Sequence, residues 1–228
     1  MRSKLAIAPE RAALLCIDLQ EEHRQDQRYL VEDFSAVLER VASLQEVARG
    51  QGVPVIHSAY VVDGETISRT RPLHPLDPDG RSAFSERGDP CTAICPEVAP
   101  RKGEALFFKS EASAFGDGRL AAHLKKANIE WLFVVGVWTE ACVDASVRQA
   151  VDQGFRVILV KDACGSGTLT MHQIAILNLA NRLYGGAVVE SAGAAALLAG
   201  AEVVAWQTSR PVPLRYCRDS FPELYERI

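Results

Sequence analysis

Val134-Val135-Gly136-Val137-Trp138-Thr139-Glu140-Ala141-Cys142-Val143 decides how this chain is read. An apolar run ends in a sharp turn, and a cysteine stands where a helix begins. Backbone N–H groups at a helix start carry partial positive charge and bias a thiol placed there toward thiolate. The position suits a nucleophile. It equally suits a buried structural cysteine at a strand–helix junction.

Working outward, the same strand-then-helix unit recurs. Residues 13–19, 53–62, 105–109, 131–137, 156–161 and 187–190 read as strands. Residues 34–50 show helical spacing through Val37, Leu38, Val41, Leu44, Val47 and Ala48. Further helices are expected at 119–127, 141–154, 171–184 and 194–198. Strands alternating with helices imply parallel pairing and right-handed crossovers. The strands are nearly continuous apolar runs, as when both sheet faces are covered. The expected fold is therefore α/β, a three-layer αβα sandwich on a six-stranded parallel, Rossmann-like sheet. Residues 1–200 form the expected domain, and 201–228 a tail that packs on it or on a neighbouring subunit. Residues 63–101, rich in Pro, Gly and charge, form a long excursion of the kind that often builds a site.

Composition narrows the function classes. The 228 residues are 48% hydrophobic and 24% charged with net charge −4, ordinary for a globular protein. No Lys/Arg cluster marks a nucleic-acid surface, and no uncharged apolar 18-mer marks a membrane span. The first residues are basic but lead into no apolar signal segment, so a cytoplasmic protein is expected. Six scattered cysteines fit reduced thiols better than a disulfide framework. Cys91 and Cys95, with His74 upstream, lack the second pair of ligands a structural zinc requires.

In open α/β sheets, sites lie at the carboxyl ends of strands, near the point where strand order reverses. Three polar groups reach that edge: Asp18 after the first strand, Lys109 at the end of the third, and Cys142 after the fourth. An aspartate beside a thiol can accept its proton, and a lysine beside both favours the thiolate. That combination serves acyl transfer at an amide carbon. No Gly-rich phosphate turn follows the first strand, which argues against a dinucleotide-binding oxidoreductase.

Three segments together resemble the isochorismatase-like cysteine hydrolase superfamily, in its N-carbamoylsarcosine and maleamate amidohydrolase branch. They are Ala12-Ala13-Leu14-Leu15-Cys16-Ile17-Asp18-Leu19-Gln20, Phe107-Phe108-Lys109-Ser110-Glu111-Ala112-Ser113-Ala114-Phe115, and Gly136-Val137-Trp138-Thr139-Glu140-Ala141-Cys142-Val143. The resemblance runs from about residue 12 to 192. It implies that Cys142 attacks the substrate, Asp18 accepts the thiol proton, and Lys109 holds the pair. It further implies a cis peptide at Val137–Trp138, with the Trp138 and Cys142 N–H groups forming an oxyanion hole. Gln20, Tyr60, Phe115, Trp138 and Thr139 are the candidate substrate contacts. The activity implied is release of ammonia from a small linear amide or carbamoyl compound through a thioester. No cofactor is expected, and the family's oligomers imply a homodimer or homotetramer.

Two departures stand out. Many relatives carry a small residue where Trp138 stands; its indole either shapes the pocket or packs beneath the tail. Nicotinamidases of the superfamily bind a divalent ion through Asp-x-His and a further His, whereas no Asp-x-His occurs here. His57 lies in a strand, His23 is expected on a solvated loop, and no catalytic metal is expected. Arg69, Arg71, His74 and Arg81 are either carboxylate anchors or solvated loop charges. The competing activities are an isochorismatase-type vinyl-ether hydrolase, and a non-catalytic relative acting as a binding module.

Overall fold

The computed structural model describes residues 1–228. Its first half comprises β1 (Arg2–Leu5), β2 (Ala12–Ile17), α1 (Glu22–Gln25), α2 (Phe34–Gly50), β3 (Val55–Tyr60), α3 (Gly64–Thr70) and β4 (Ala105–Lys109). The second half comprises α4 (Arg119–Lys126), β5 (Trp131–Val137), α5 (Asp144–Asp152), β6 (Arg156–Gly165), α6 (Leu169–Ala180), β7 (Ala187–Val189), α7 (Ser191–Leu198), β8 (Val203–Trp206) and α8 (Phe221–Glu226). A π-helical turn, Thr139–Val143, joins β5 to α5.

Alternation along the central strands builds three layers. In β2, Ala12, Leu14 and Cys16 face one core, which Val37, Leu38, Val41 and Leu44 of α2 and Leu197 and Leu198 of α7 complete. Ala13, Leu15 and Ile17 face the other, with Leu120 and Leu124 of α4, Val147 of α5 and Ile176 and Leu177 of α6. Each such Leu, Ile or Val contributes about 1.5–3 kcal/mol by leaving water, an upper bound for a compact unfolded chain. The helices adhere because their apolar stripes repeat at 3–4 residue spacing while the strands alternate at two.

The strand order is β1-β8-β7-β6-β5-β2-β3-β4. The six expected strands pair in parallel, from β7 across to β4. The sheet nevertheless has eight strands rather than six. β1 pairs antiparallel with β8, and β8 pairs antiparallel with β7 through Val188 and Trp206. Both added strands hold four residues, and the charged Arg-Ser-Lys-Leu of β1 has none of the apolar continuity of a covered strand. Residues 203–206 thus belong to the sheet.

The chain passes from β2 outward to β3 and β4, then returns to the opposite side of β2 to lay down β5, β6 and β7. The strand order reverses between β2 and β5, whose carboxyl ends are Ile17 and Val137. Gly136 is required at this place. Its φ is +124°, and a Cβ there would lie 2.1 Å from the Ile17 carbonyl oxygen. The register with β6 also shifts between Val134 and Gly136.

Beyond β8 the chain returns over the α4–α6 face. Asn181 binds Leu214 twice: Nδ2–H donates to the Leu214 carbonyl and Oδ1 accepts its N–H, both at 2.8 Å. Tyr225 of α8 accepts the Lys161 ammonium at its carbonyl, 3.2 Å away, and that ammonium sits 4.6 Å from its ring centroid. Because both Asn181 bonds are buried, Asn181→Ala should cost about 1–3 kcal/mol. A lowered urea midpoint with unchanged m-value would show it; an unchanged midpoint would mean the segment is held by other contacts.

Candidate functional site

Asp18, the first residue past β2, adopts φ +51°. Its N–H donates to the Ser58 carbonyl of β3 at 3.0 Å, and the Ser58 hydroxyl donates to Oδ1 at 3.3 Å. Lys109 ends β4. Its Nζ lies 2.7 Å from Asp18 Oδ2, and both side chains are 4% exposed, so this is a buried ion pair. The same ammonium donates to Cys142 Sγ at 3.3 Å and to the carbonyls of Glu111 and Ala112 at 3.1 and 3.0 Å. Four partners, one carboxylate, one sulfur and two carbonyls, converge on one nitrogen.

Cys142 lies in the π-helical turn, half-buried. Burial raises its thiol pKa, the Asp18 carboxylate raises it further, and Lys109 opposes them without prevailing. The expectation that helix-start N–H groups would favour a thiolate is therefore corrected. The group is removed from water and faces a carboxylate, so at rest it carries its proton. For Lys109, burial lowers the pKa, but Asp18 and Cys142 together reverse the sign and hold it above its usual value.

The turn is braced on every side. The Ser146 hydroxyl donates to the Cys142 carbonyl at 2.6 Å and accepts from the Ala114 N–H at 2.9 Å, tying the lysine segment to the cysteine. The Thr139 hydroxyl donates to the Gly165 carbonyl at 2.9 Å and so accepts from His172 Nδ1–H at 2.8 Å. His172 Nε2 then accepts from the Tyr225 hydroxyl at 3.1 Å. Burial holds His172 neutral, with a pKa of about 4. The Val137–Trp138 peptide is cis, and the Trp138 N–H donates to no acceptor in the chain.

A cavity of about 580 Å3 opens over Cys142 and Asp18. Tyr60 and Trp138 line it, as do Arg28, Tyr29, Arg71 and Phe84. Tyr60 stacks on Phe84 at 5.8 Å, and its ring lies 4.9 Å from Lys109 Nζ. The Trp138 indole N–H donates to His23 Nδ1 at 3.2 Å. Its ring closes over Gly167, where any Cβ would sit 2.6 Å from the indole. Between the two readings of Trp138, the indole is a wall of the cavity.

Gln20, Phe115 and Thr139 do not line this cavity. The Gln20 amide is consumed by the Tyr60 and Thr92 backbones, donating to their carbonyls at 3.0 and 2.9 Å and accepting the Tyr60 N–H at 2.9 Å. Phe115 is 1% exposed and packs against Phe155. Thr139 is committed to Gly165 and His172. Membership of the three family-like motifs placed all three near the site, but a motif does not say which way a side chain points.

Other residues were missed or misplaced. His23, expected on a solvated loop, is 6% exposed and lines the cavity, its ring set between Phe34 and Trp138. Burial lowers its pKa to about 4. Glu22 is 5% exposed and accepts the Ser85 N–H at 2.9 Å and hydroxyl at 2.6 Å. Of the proposed anchors, only Arg71 reaches the cavity, and it is bound to the Ser110 carbonyl and to Glu111 at 3.2 Å. Arg69 pairs with Glu65, Arg81 with Asp89, and His74 bonds to Ser82. His57 faces Glu104, 3.1 Å away.

Metal-type donors gather at Glu21, Cys95 and Glu97, within 4.8 Å of one another. The Arg24 guanidinium already bridges both carboxylates. A second cavity, about 230 Å3, lies on the far side of the turn beside His172 and Tyr225. Its thiol, Cys164, is 3% exposed, and burial raises its pKa. No helix in the chain is long and apolar enough to cross a membrane.

Comparison with known proteins gives this geometry its context. The chain is 29% identical over 159 residues to maleamate amidohydrolase from Pseudomonas putida, covering 67% of this chain and 70% of that one. It is 28% identical over 169 residues to the secreted isochorismatase effector Isc1 from Verticillium dahliae, covering 72% and 80%. The crystal structure of a cysteine hydrolase from Pseudomonas syringae pv. phaseolicola superposes with a TM-score of 0.75 at 20% identity, over 86% of this chain and 95% of the other. The isochorismatase domain model matches residues 12–193, which takes in Asp18, Lys109 and Cys142, and the chain therefore belongs to the isochorismatase family of hydrolases.

Proposed function

We propose that this chain is a cysteine amidohydrolase that cleaves the C–N bond of a small linear amide or carbamoyl compound and releases ammonia. One observation carries the reading: a single buried ammonium contacts both the Asp18 carboxylate and the Cys142 sulfur. The relative that hydrolyses maleamate supports it.

In the proposed reaction Asp18 takes the thiol proton as Cys142 sulfur bonds to the amide carbon. The Trp138 and Cys142 N–H groups receive the developing oxyanion; one such donor is typically worth about 3 kcal/mol. Asp18 passes its proton to the leaving nitrogen, the C–N bond breaks, and ammonia departs from a thioester. Asp18 then deprotonates a water that attacks the thioester. The products are the carboxylic acid and the restored thiol. Tyr60 and Trp138 wall the substrate. Cys142, Asp18 and Lys109 need no metal for these steps. The chain is read as cytoplasmic, consistent with six free cysteines, and as a homo-oligomer.

Ammonia release should be measured on N-carbamoyl amino acids, maleamate, ureidoacrylate, biuret and nicotinamide. At least one should turn over, and Cys142→Ala should lower kcat by about 10⁴-fold or more. Silence across the panel with turnover of isochorismate would move the reading to a vinyl-ether hydrolase. Prolonged dialysis against a strong chelator should leave the rate intact; a loss restored by a divalent ion would refute the metal-free mechanism.

The pH dependence of the free enzyme follows from the thiol. With its pKa raised, Cys142 is protonated at neutral pH, and its thiolate fraction grows only as pH rises past the ordinary thiol range of about 8.5. Iodoacetamide alkylation at Cys142, followed by mass spectrometry, should still accelerate there. A plateau near pH 6–7 would show a resting thiolate instead.

A further inference from the structure

The cavity holds one acidic group that the proposed chemistry does not use. Glu22 is buried with both oxygens on Ser85, whose own backbone sits at φ +53°. Its one basic neighbour within 4.0 Å is His23 Nε2 at 3.9 Å, and His23 is neutral. The cations around the cavity are already matched. Lys109 pairs with Asp18, Arg28 with Asp26 at 2.7 Å and Asp77 at 3.8 Å, and Arg71 with Glu111. A carboxylate offers about four lone-pair positions, and Ser85 takes two of them.

Aromatic rings share the cavity with this carboxylate. Tyr29, Tyr60, Phe84 and Trp138 line the same cavity, with Tyr29 and Phe84 centred 5.2 Å apart. Rings present negative faces that attract a cation once it leaves water. We propose that the cavity selects an amide whose far end carries a protonated nitrogen, held by Glu22 and the aromatic walls while the amide carbon meets Cys142. The proposal rests on the amidohydrolase reading and names its substrate class. Burial raises the Glu22 pKa, a cost to the charged form that the cation of such a substrate would offset. A carboxylate at the far end of the substrate would instead meet Glu22 without a free cation to offset it.

The test measures binding apart from turnover. In the Cys142→Ala protein, calorimetry would compare 4-aminobutanamide, pentanamide and succinamate: cationic, neutral and anionic amides of similar length. The cation should bind about tenfold tighter than pentanamide, as a charge-assisted hydrogen bond implies, with succinamate weakest. Glu22→Gln in the same background should bring the cation and neutral amide to within about threefold. Should that variant fail to fold, the order among the three amides on Cys142→Ala alone decides. Equal binding of cation and neutral amide, tighter succinamate, or no binding of any would overturn the proposal. Ammonia release by the unsubstituted protein separates the two readings. Ordered binding with no hydrolysis sinks the amidohydrolase, and hydrolysis with succinamate preferred sinks the cation site.

Discussion

A lysine ammonium buried between a carboxylate and a thiol is the constraint on which the rest of the site depends. Each ion moved from water into such a place costs several kcal/mol, which only close geometry and further hydrogen bonds offset. The structure supplies both. Asp18 stands 2.7 Å from Nζ, and the Glu111 and Ala112 carbonyls take up further N–H capacity. Lys109 is two strands removed from Asp18, with β3 between them. The carboxyl end of β3 therefore serves the pair: Ser58 donates to Asp18, and the Tyr60 ring lies against Nζ. Replacing Lys109 by an apolar residue would strand a buried carboxylate, so this pair couples stability to function.

The third member reaches that pair because strand order reverses beside β2. The turn after β5 opens next to Asp18 only because β5 returns to the inner side of the sheet, and Gly136 lets the two backbones approach. Once there, the turn is held from two directions. Ser146 joins it to the lysine segment, and the Thr139–His172–Tyr225 chain of hydrogen bonds joins it to α8. Tyr225, near the C-terminus, is thus linked through the His172 side chain to the turn that carries Cys142.

Periodicity and strand-end position were enough to read β2 to β7 and to bring Asp18, Lys109 and Cys142 to one edge. Those features persist because covered strands need continuous apolar runs and helices need a stripe. β1 escaped because a short, charged edge strand carries neither signal, and β8 because four apolar residues with no helix after them do not extend the strand–helix alternation. The cavity walls were harder still. Gln20 and Thr139 share short motifs with Asp18 and Cys142, yet Gln20 spends its polar atoms on backbone partners and Thr139 on the Gly165 carbonyl and His172. Their direction is set by local dihedrals that spacing does not encode. Glu22, His23 and Phe84 come from α1 and the 63–101 excursion, where no period exists to orient a side chain. The one available signal was chemical: a glutamate and a histidine directly after the strand carrying Asp18.

A protonated resting thiol is compatible with nucleophilic attack because the cluster moves its charge without creating any. At rest Asp18 is negative, Lys109 positive and Cys142 neutral. Transfer of the thiol proton to Asp18 leaves Asp18 neutral, Lys109 positive and sulfur negative, with the same net charge around the same ammonium. In a poorly solvated site the costly event is separating or adding charge, and neither occurs here. In the proposed reaction, as sulfur bonds to carbon the negative charge would pass to the carbonyl oxygen, where the free Trp138 N–H is available to meet it. The burial that raises the thiol pKa also keeps these short-range interactions strong. A thiolate formed only as the substrate arrives is thus what the buried geometry favours.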